Sequence, residues 1–226
     1  MPFFNPRKIL ITSGPTREYL DPVRYLSNAS SGRMGQALAE EAIGAGFEVA
    51  VVSGPVGIDY PTGAEVVRVV TTEEMRDRAL EIFPSCGGAV GVAAPCDYRP
   101  VYRSVQKMSK DDFTRSPGTG GRFVLELEET PDIFAALGAV KQLGQWLVPF
   151  ALETHNGRAN ALRKLARKNG DLIVLNSQSA IGSGATSVEV LNASGSTVAS
   201  LSGNKREAAS GIVRVLLDQF YRARNN

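Results

Sequence analysis

The sequence predicts an α/β fold, doubly wound, with a mainly parallel sheet and helices on both faces. Three observations predict it. Short β-rich runs alternate with stretches of helical periodicity along most of the 226 residues. Several of these runs are apolar almost throughout, the pattern of parallel strands covered on both sides. The turn signals Ser13-Gly14-Pro15 and Ser53-Gly54-Pro55 close the first two of them.

Residues 8–12 (KILIT) give the first strand. After a long loop, apolar residues at Met34, Ala37, Leu38, Ala42 and Ala45 set a helix over 34–45. Residues 47–52 (FEVAVV) complete a βαβ unit. Strand 66–70, helix 73–83 behind a cap at Thr71 or Thr72, and strand 89–94 continue the alternation. Next come strand 123–127, helix 131–143 with Pro131 in its first turn, strand 146–152, helix 158–168 and strand 172–175. Runs at 187–192 and 197–201 flank Asn192-Ala193-Ser194-Gly195 and read as a β-hairpin extension at about 186–202, before a last helix over 205–222. The whole, 1–226, reads as a single Rossmann-like domain. Segment 97–122 breaks the rhythm with Lys107, Lys110, Asp111, Asp112, Arg115, Pro117 and three glycines. A connection that polar and that long is a functional or mobile loop.

Composition narrows the chemistry. With 43% hydrophobic residues the chain can build a core, and 25 Lys and Arg against 23 Asp and Glu leave +2, dispersed, so nothing proposes a nucleic-acid or membrane partner. No run approaches the roughly 18 apolar residues of a membrane span, and no signal-peptide pattern opens the chain, so a cytoplasmic protein is expected. Two cysteines and one histidine, His155, remove disulfide frameworks, four-ligand zinc sites and most His-based catalysis. Lysine, asparagine, carboxylates and backbone are left to act.

The densest run of unusual residues is 13–35, SGPTREYLDPVRYLSNASSGRMG. It joins the first strand's carboxyl end to the first helix, where doubly wound sheets open their crevice. Ser30, Ser31, Gly32 and Gly35 suit anion binding at a helix N-terminus, or equally a capped turn whose small residues allow helix packing; the long polar loop before them favours a ligand. Neither GxGxxG nor GxxxxGK[ST] occurs. Residues 92–100, VAAPCDYRP, deliver Asp97 to a strand edge, where it either accepts from an exocyclic amine or holds a metal, or pairs with Arg99. Cys96 reads as a small buried hydrophobe. KMSK at 107–110 matches a synthetase nucleotide loop in letters only, because the His-x-Gly-His partner motif is missing. It leaves a lysine loop that closes over phosphates or is simply solvated. Lys164 and Lys168, four apart on one helical face beside Arg163 and Arg167, form either a solvated face or a triphosphate contact.

Taken in order, TRE-x-x-DPVR-x-x-SN-x-SSG-x-MG at 16–35, AAPCDYRP, Lys107, TPDI at 130–133, FALET at 150–154 and the paired lysines resemble the phosphopantothenoylcysteine synthetases, the phosphopantothenate-cysteine ligases of coenzyme A biosynthesis. The resemblance spans essentially the whole chain. It implies a ligase joining 4′-phosphopantothenate and L-cysteine through an acyl-nucleotidylate, with CTP or ATP as co-substrate, Mg²⁺ as cofactor and pyrophosphate released. It implies Asn28, Lys107 and Arg24 as catalytic residues. Nucleotide contacts carry over to Gly91, Val92, Ala93, Asp97, Thr130, Pro131, Asp132, Ile133, Phe150, Lys164 and Lys168, and phosphate-binding backbone to Gly14, Ser31 and Gly32; no metal ligands are assigned. It also implies a homodimer, with the β extension as interface, and a free-standing enzyme without the flavin-dependent decarboxylase half. Thr130 and Pro95 depart from the family's usual letters where the base would sit. Two other readings stand beside it: a catalytically inactive nucleotide-binding regulatory protein, and a nicotinamide-dependent reductase, against which the missing GxGxxG counts.

Overall fold

The computed structural model describes residues 4–109, 124–177 and 186–222. Strands β1 (Asn5–Ser13), β4 (Glu48–Ser53), β5 (Ala64–Arg68), β6 (Cys86–Gly91), β9 (Trp146–Glu153), β10 (Leu172–Ser177), β11 (Thr186–Asn192) and β12 (Thr197–Gly203) form one eight-stranded sheet. Its order is β12-β11-β10-β9-β6-β1-β4-β5, parallel except for the two pairings made by β11, while β2 (Arg17–Tyr19) and β3 (Tyr25–Ser27) pair antiparallel with each other outside it. The predicted doubly wound architecture is therefore present.

Side-chain alternation along the buried strands sorts the core into two layers. Ile9 and Ile11 of β1 join the cluster under α1 (Arg33–Gly44) and α5 (Lys205–Leu217), whereas Leu10 joins the cluster under α2 (Thr72–Ile82) and α3 (Ile133–Val140). A smaller cluster around Ile173 and Leu191 seats α4 (Gly157–Arg167). A strand that feeds both layers must be apolar at successive positions, which is why KILIT does not alternate. Helix starts follow local chemistry: α2 and α5 open on capping boxes, Thr71 with Glu74 and Asn204 with Glu207.

Four expectations need correction. Of the strand expected at 123–127, residues 124–126 form no strand and residue 127 opens β8 (Leu127–Glu129), which pairs antiparallel with β7 (Tyr98–Pro100) outside the sheet. Pro131 precedes helix α3 rather than sitting in its first turn, because the Asp132 side chain accepts the Ala135 N–H and caps the helix one residue later. The last helix leaves α geometry after Leu217 for a π turn over Asp218–Arg222. The segment expected as one loop, 97–122, starts with β7, and its residues 110–122 lie outside the described part.

Candidate active site

The chain crosses from β1 to β4 on one side and returns to β6 on the other, so the topological switch point lies between β1 and β6. Ligand crevices of such sheets open at the carboxyl ends of these strands. The two strand ends stay joined beyond the sheet: Val92 N–H donates to Thr12 O and Ala94 N–H to Gly14 O. Residues 91–97 therefore leave β6 held beside the loop that follows β1.

That loop is pinned by polar side chains turned inward. Thr16, Glu18 and Asp21 are buried. Thr16 Oγ1 accepts the Cys96 N–H at 2.8 Å and lies 2.8 Å from Thr72 Oγ1; Glu18 Oε1 accepts the Thr72 N–H at 2.7 Å. Asn28 Nδ2 donates to Pro95 O at 2.8 Å and Ala94 O at 3.4 Å, across the mouth between β1 and β6. Arg24 donates through Nε to Asp21 Oδ2 at 2.9 Å and through Nη2 to Asp21 Oδ2 and Met108 O, at 2.5 and 2.6 Å. The structure thus places Asn28 against the β6 edge and Arg24 against the Lys107 segment. Lys107 itself is exposed.

Gly14 and Gly32 adopt left-handed backbone, φ 75° and 73°, and a Cβ at either would meet Val56 Cγ1 at 2.8 and 2.9 Å. Glycine is therefore required at both by close packing under Val56, whether or not a phosphate also approaches. Ser31 is exposed just before α1, whose N-cap Gly32 offers no side-chain cap. The end of β1 is also held by Tyr60, whose hydroxyl donates to Ser13 Oγ at 2.8 Å and lies 2.9 Å from Ser53 Oγ.

The expected nucleotide residues divide. Gly91 is buried, and a Cβ there would strike the Phe134 ring at 2.4 Å, so its smallness serves helix α3. Val92 and Phe150 pack on the α1–α5 layer, and Ala93 and Ile133 on the α2–α3 layer. Thr130 Oγ1 donates to Cys96 O at 2.5 Å and its N–H to Asp97 O, fixing the β6 extension. Asp97 is exposed, and Arg99 pairs with Glu73 and Glu128 rather than with Asp97. Burial pushes the Cys96 thiol up, in keeping with an inert side chain.

Both expected triphosphate lysines are paired. Lys164 Nζ lies 2.6 Å from Glu153 Oε1, and Lys168 Nζ 2.5 Å from Asp132 Oδ1, with Arg167 2.8 Å from Asp132 Oδ2. Burial raises the Asp132 carboxyl, but Lys168, the Ala135 N–H and Arg167 outweigh it and hold it below the ordinary value. Burial acts on Lys168 in the same anti-charge sense and lowers it despite Asp132, so the pair gains on the carboxylate side only. Because Asp132 is depressed in the folded state, its contribution is complete above the unfolded carboxyl value near 3.9 and is lost as pH falls through the folded one. Asp132→Asn keeps a good cap and removes the charge. It is expected to cost about 1 kcal/mol at pH 7 and to flatten the decline of the urea midpoint below about pH 4. A variant midpoint that tracks the wild type across pH 7 to 3 excludes this role.

Comparison with known proteins decides the family. The family described as DNA/pantothenate metabolism flavoprotein C-terminal domain matches residues 4–220. The chain belongs to this family. It is 39% identical over 219 residues to a cysteine/cysteine sulfinic acid decarboxylase of an unknown prokaryotic organism, covering 94% of this chain and 58% of that protein. It is 42% identical over 179 residues to the coenzyme A biosynthesis bifunctional protein CoaBC of Bacillus subtilis strain 168, covering 79% of this chain and 42% of that one. The chain thus spans about half the length of the curated relatives it matches. The crystal structure of the C-terminal domain of a coenzyme A biosynthesis bifunctional protein CoaBC superposes with a TM-score of 0.76 at 34% identity, covering 95% of each chain. The resemblance read from 16–35 onward is thereby borne out for family and fold.

Sequence reading missed Thr16, Glu18, Asp21 and Tyr60. Asp21, two and three residues before the amides it accepts from, carries the spacing of an Asx turn, which is a readable signal. Nothing local announces Cys96 as the partner of Thr16, Thr72 as that of Glu18 or Ser13 as that of Tyr60, which lie 47 to 80 residues away. Among the described residues no helix is long and apolar enough to cross a membrane.

Proposed function

We propose that this chain is a phosphopantothenate-cysteine ligase. The observation that carries the reading is the meeting of three distant segments at the switch point: Asn28 on the β6 edge at 94–95, and Arg24 on the backbone beside Lys107. The name of the Bacillus subtilis relative, a coenzyme A biosynthesis bifunctional protein, supports it, whereas that of the cysteine/cysteine sulfinic acid decarboxylase does not. A carboxylate oxygen of 4′-phosphopantothenate attacks the α-phosphorus of the nucleotide, the bond to the β,γ-phosphates breaks, and pyrophosphate leaves. The cysteine amine then attacks the acyl carbon, the C–O bond to the nucleotide breaks, and the amine loses its extra proton. Charge grows on phosphate oxygens in the first step, where Lys107 stabilises it, and on the acyl oxygen in the second, where Asn28 serves by turning to it the N–H that reaches Ala94 O only at 3.4 Å. Neither step needs a histidine.

No group of three or more His, Cys, Asp or Glu side chains among the described residues can hold a metal ion. That suits Mg²⁺ arriving with the nucleotide, since it is usually held by phosphate oxygens, waters and one or two carboxylates. When bound it neutralises charge on the triphosphate. For Lys164 and Lys168 to reach phosphates, the anion must compete with Glu153 and Asp132. The homodimer implied by the family is also proposed, with a different face. Tyr98, Val101, Tyr102, Val105, Val124 and Leu127 are exposed around β7 and β8, Val105 and Val124 at 87% and 83%. Hairpin β11–β12 shows no such apolar exposure.

An assay of pyrophosphate release with phosphopantothenate, with and without cysteine, tests the ligase reading. Release that ignores phosphopantothenate overturns it. For the base, Asp97 can accept from the exocyclic amine of cytosine or adenine but not from uracil. Because Phe150 and Ala93 face opposite layers, shape discrimination between CTP and ATP is expected to be modest, within about 1–3 kcal/mol and in favour of CTP, with UTP poor. Specificity constants for the three nucleotides at equal Mg²⁺ decide; better use of ATP than CTP, or UTP as good as either, refutes this account of the pocket.

A further inference from the structure

Asp21 is fully buried, yet its carboxylate faces two separate parts of the chain. Oδ1 accepts the N–H groups of Val23 and Arg24, both at 2.8 Å, which closes the local turn. Oδ2 accepts Arg24 Nε, Arg24 Nη2 and the Met108 N–H, the last at 3.2 Å and 87 residues away. Arg24 Nη2 then returns to Met108 O, so the Met108 peptide is gripped at both its N–H and its C=O. Two further contacts fasten the same segment to the same loop: Ser104 N–H donates to Leu20 O at 2.8 Å, and the Arg103 guanidinium lies 5.2 Å from the Tyr19 ring centre.

One oxygen would suffice for the turn. A second buried carboxylate oxygen demands donors of its own, because an ionised group out of water is costly unless it is hydrogen-bonded. The Met108 backbone supplies one of them, and Lys107 is its neighbour. We propose that Asp21 is a positioning residue for Lys107, holding through Arg24 and the Met108 peptide the backbone from which that lysine projects. The ionised state is in keeping with this: burial raises the Asp21 carboxyl, but the Val23 N–H, Arg24 and the Met108 N–H outweigh it and hold it well below the carboxylate range. The kinetic consequence rests on the ligase reading above; the structural one does not.

The test is Asp21→Asn in the full chain, read three ways. Amide hydrogen exchange at Ser104 and Met108 is expected to quicken about tenfold or more while β1 and β4 keep wild-type protection. Single-turnover pyrophosphate release is expected to slow about tenfold, with the apparent affinity for nucleotide nearly unchanged. In a Lys107→Ala background the same substitution is expected to add no further loss, since residues acting through one group are not additive. Wild-type exchange at Met108, or a loss that multiplies fully with Lys107→Ala, overturns the proposal. If Asp21→Asn fails to fold, Arg24→Gln, read by exchange alone, decides: it keeps the Asp21 turn and removes the guanidinium from Met108 O, and unchanged exchange there refutes the latch. If the ligase reading fails, the exchange result still stands or falls by itself.

Discussion

Lys107→Ala is expected to slow pyrophosphate release at least a hundredfold and to leave the unfolding midpoint where it was. The second half follows from placement. Lys107 is exposed, in a loop segment whose anchors are the backbone of Ser104 and Met108, and it belongs to none of the core clusters. Truncating it removes no packing. The first half follows from where charge develops. A preorganised donor aimed at a charge that grows only in the transition state is worth on the order of 3 kcal/mol, which is about a hundredfold in rate. Lys107→Arg keeps the charge but changes its shape and reach, so a partial rate is expected. Single-turnover release with saturating phosphopantothenate, set beside urea denaturation of the same preparations, measures both halves. Release within about threefold of wild type removes Lys107 from the reaction.

The fold was legible because its strongest signal is local. KILIT and FEVAVV are apolar at successive positions since Ile9 and Leu10 feed opposite layers, and Thr71 with Glu74 spells a helix start within four residues. What failed was short and depended on distant pairing. Leu127–Glu129 is a strand because Tyr98–Pro100 lies opposite, and all three of its residues are exposed, so no burial pattern marks it. Pro131 misled because proline suits a first turn, while the competing cap at Asp132 is shared with Lys168 and Arg167, both more than thirty residues on. The site was legible through motif order and illegible in its scaffolding. Thr16 and Glu18 look like solvated loop letters until Cys96 and Thr72 bind them, and the Asx-turn spacing of Asp21 gives no sign that its second oxygen meets Met108.

Asn28→Asp is expected to do a different kind of damage from the lysine variant. The side-chain amide of Asn28 gives its N–H groups to Pro95 O and Ala94 O. A carboxylate of the same size would face those carbonyl oxygens with no proton to offer, and the β6 edge would lose its tie to the loop before α1. Losing such bonds costs about 1–3 kcal/mol, less where water can enter, and Asn28 is exposed, so the chain is expected to fold with only a small drop in midpoint. Chemistry suffers more. In the proposed second step the acyl oxygen becomes negative as cysteine attacks, and replacing a donor by a like charge there should slow that step by a hundredfold or more. The first step, whose charge lies on phosphate near Lys107, should fall less. The acyl-nucleotidylate is therefore expected to accumulate, visible by mass spectrometry of quenched mixtures and as a burst of pyrophosphate that outruns amide product. Normal turnover with no trapped intermediate would show that Asn28 only ties the loop to the strand edge.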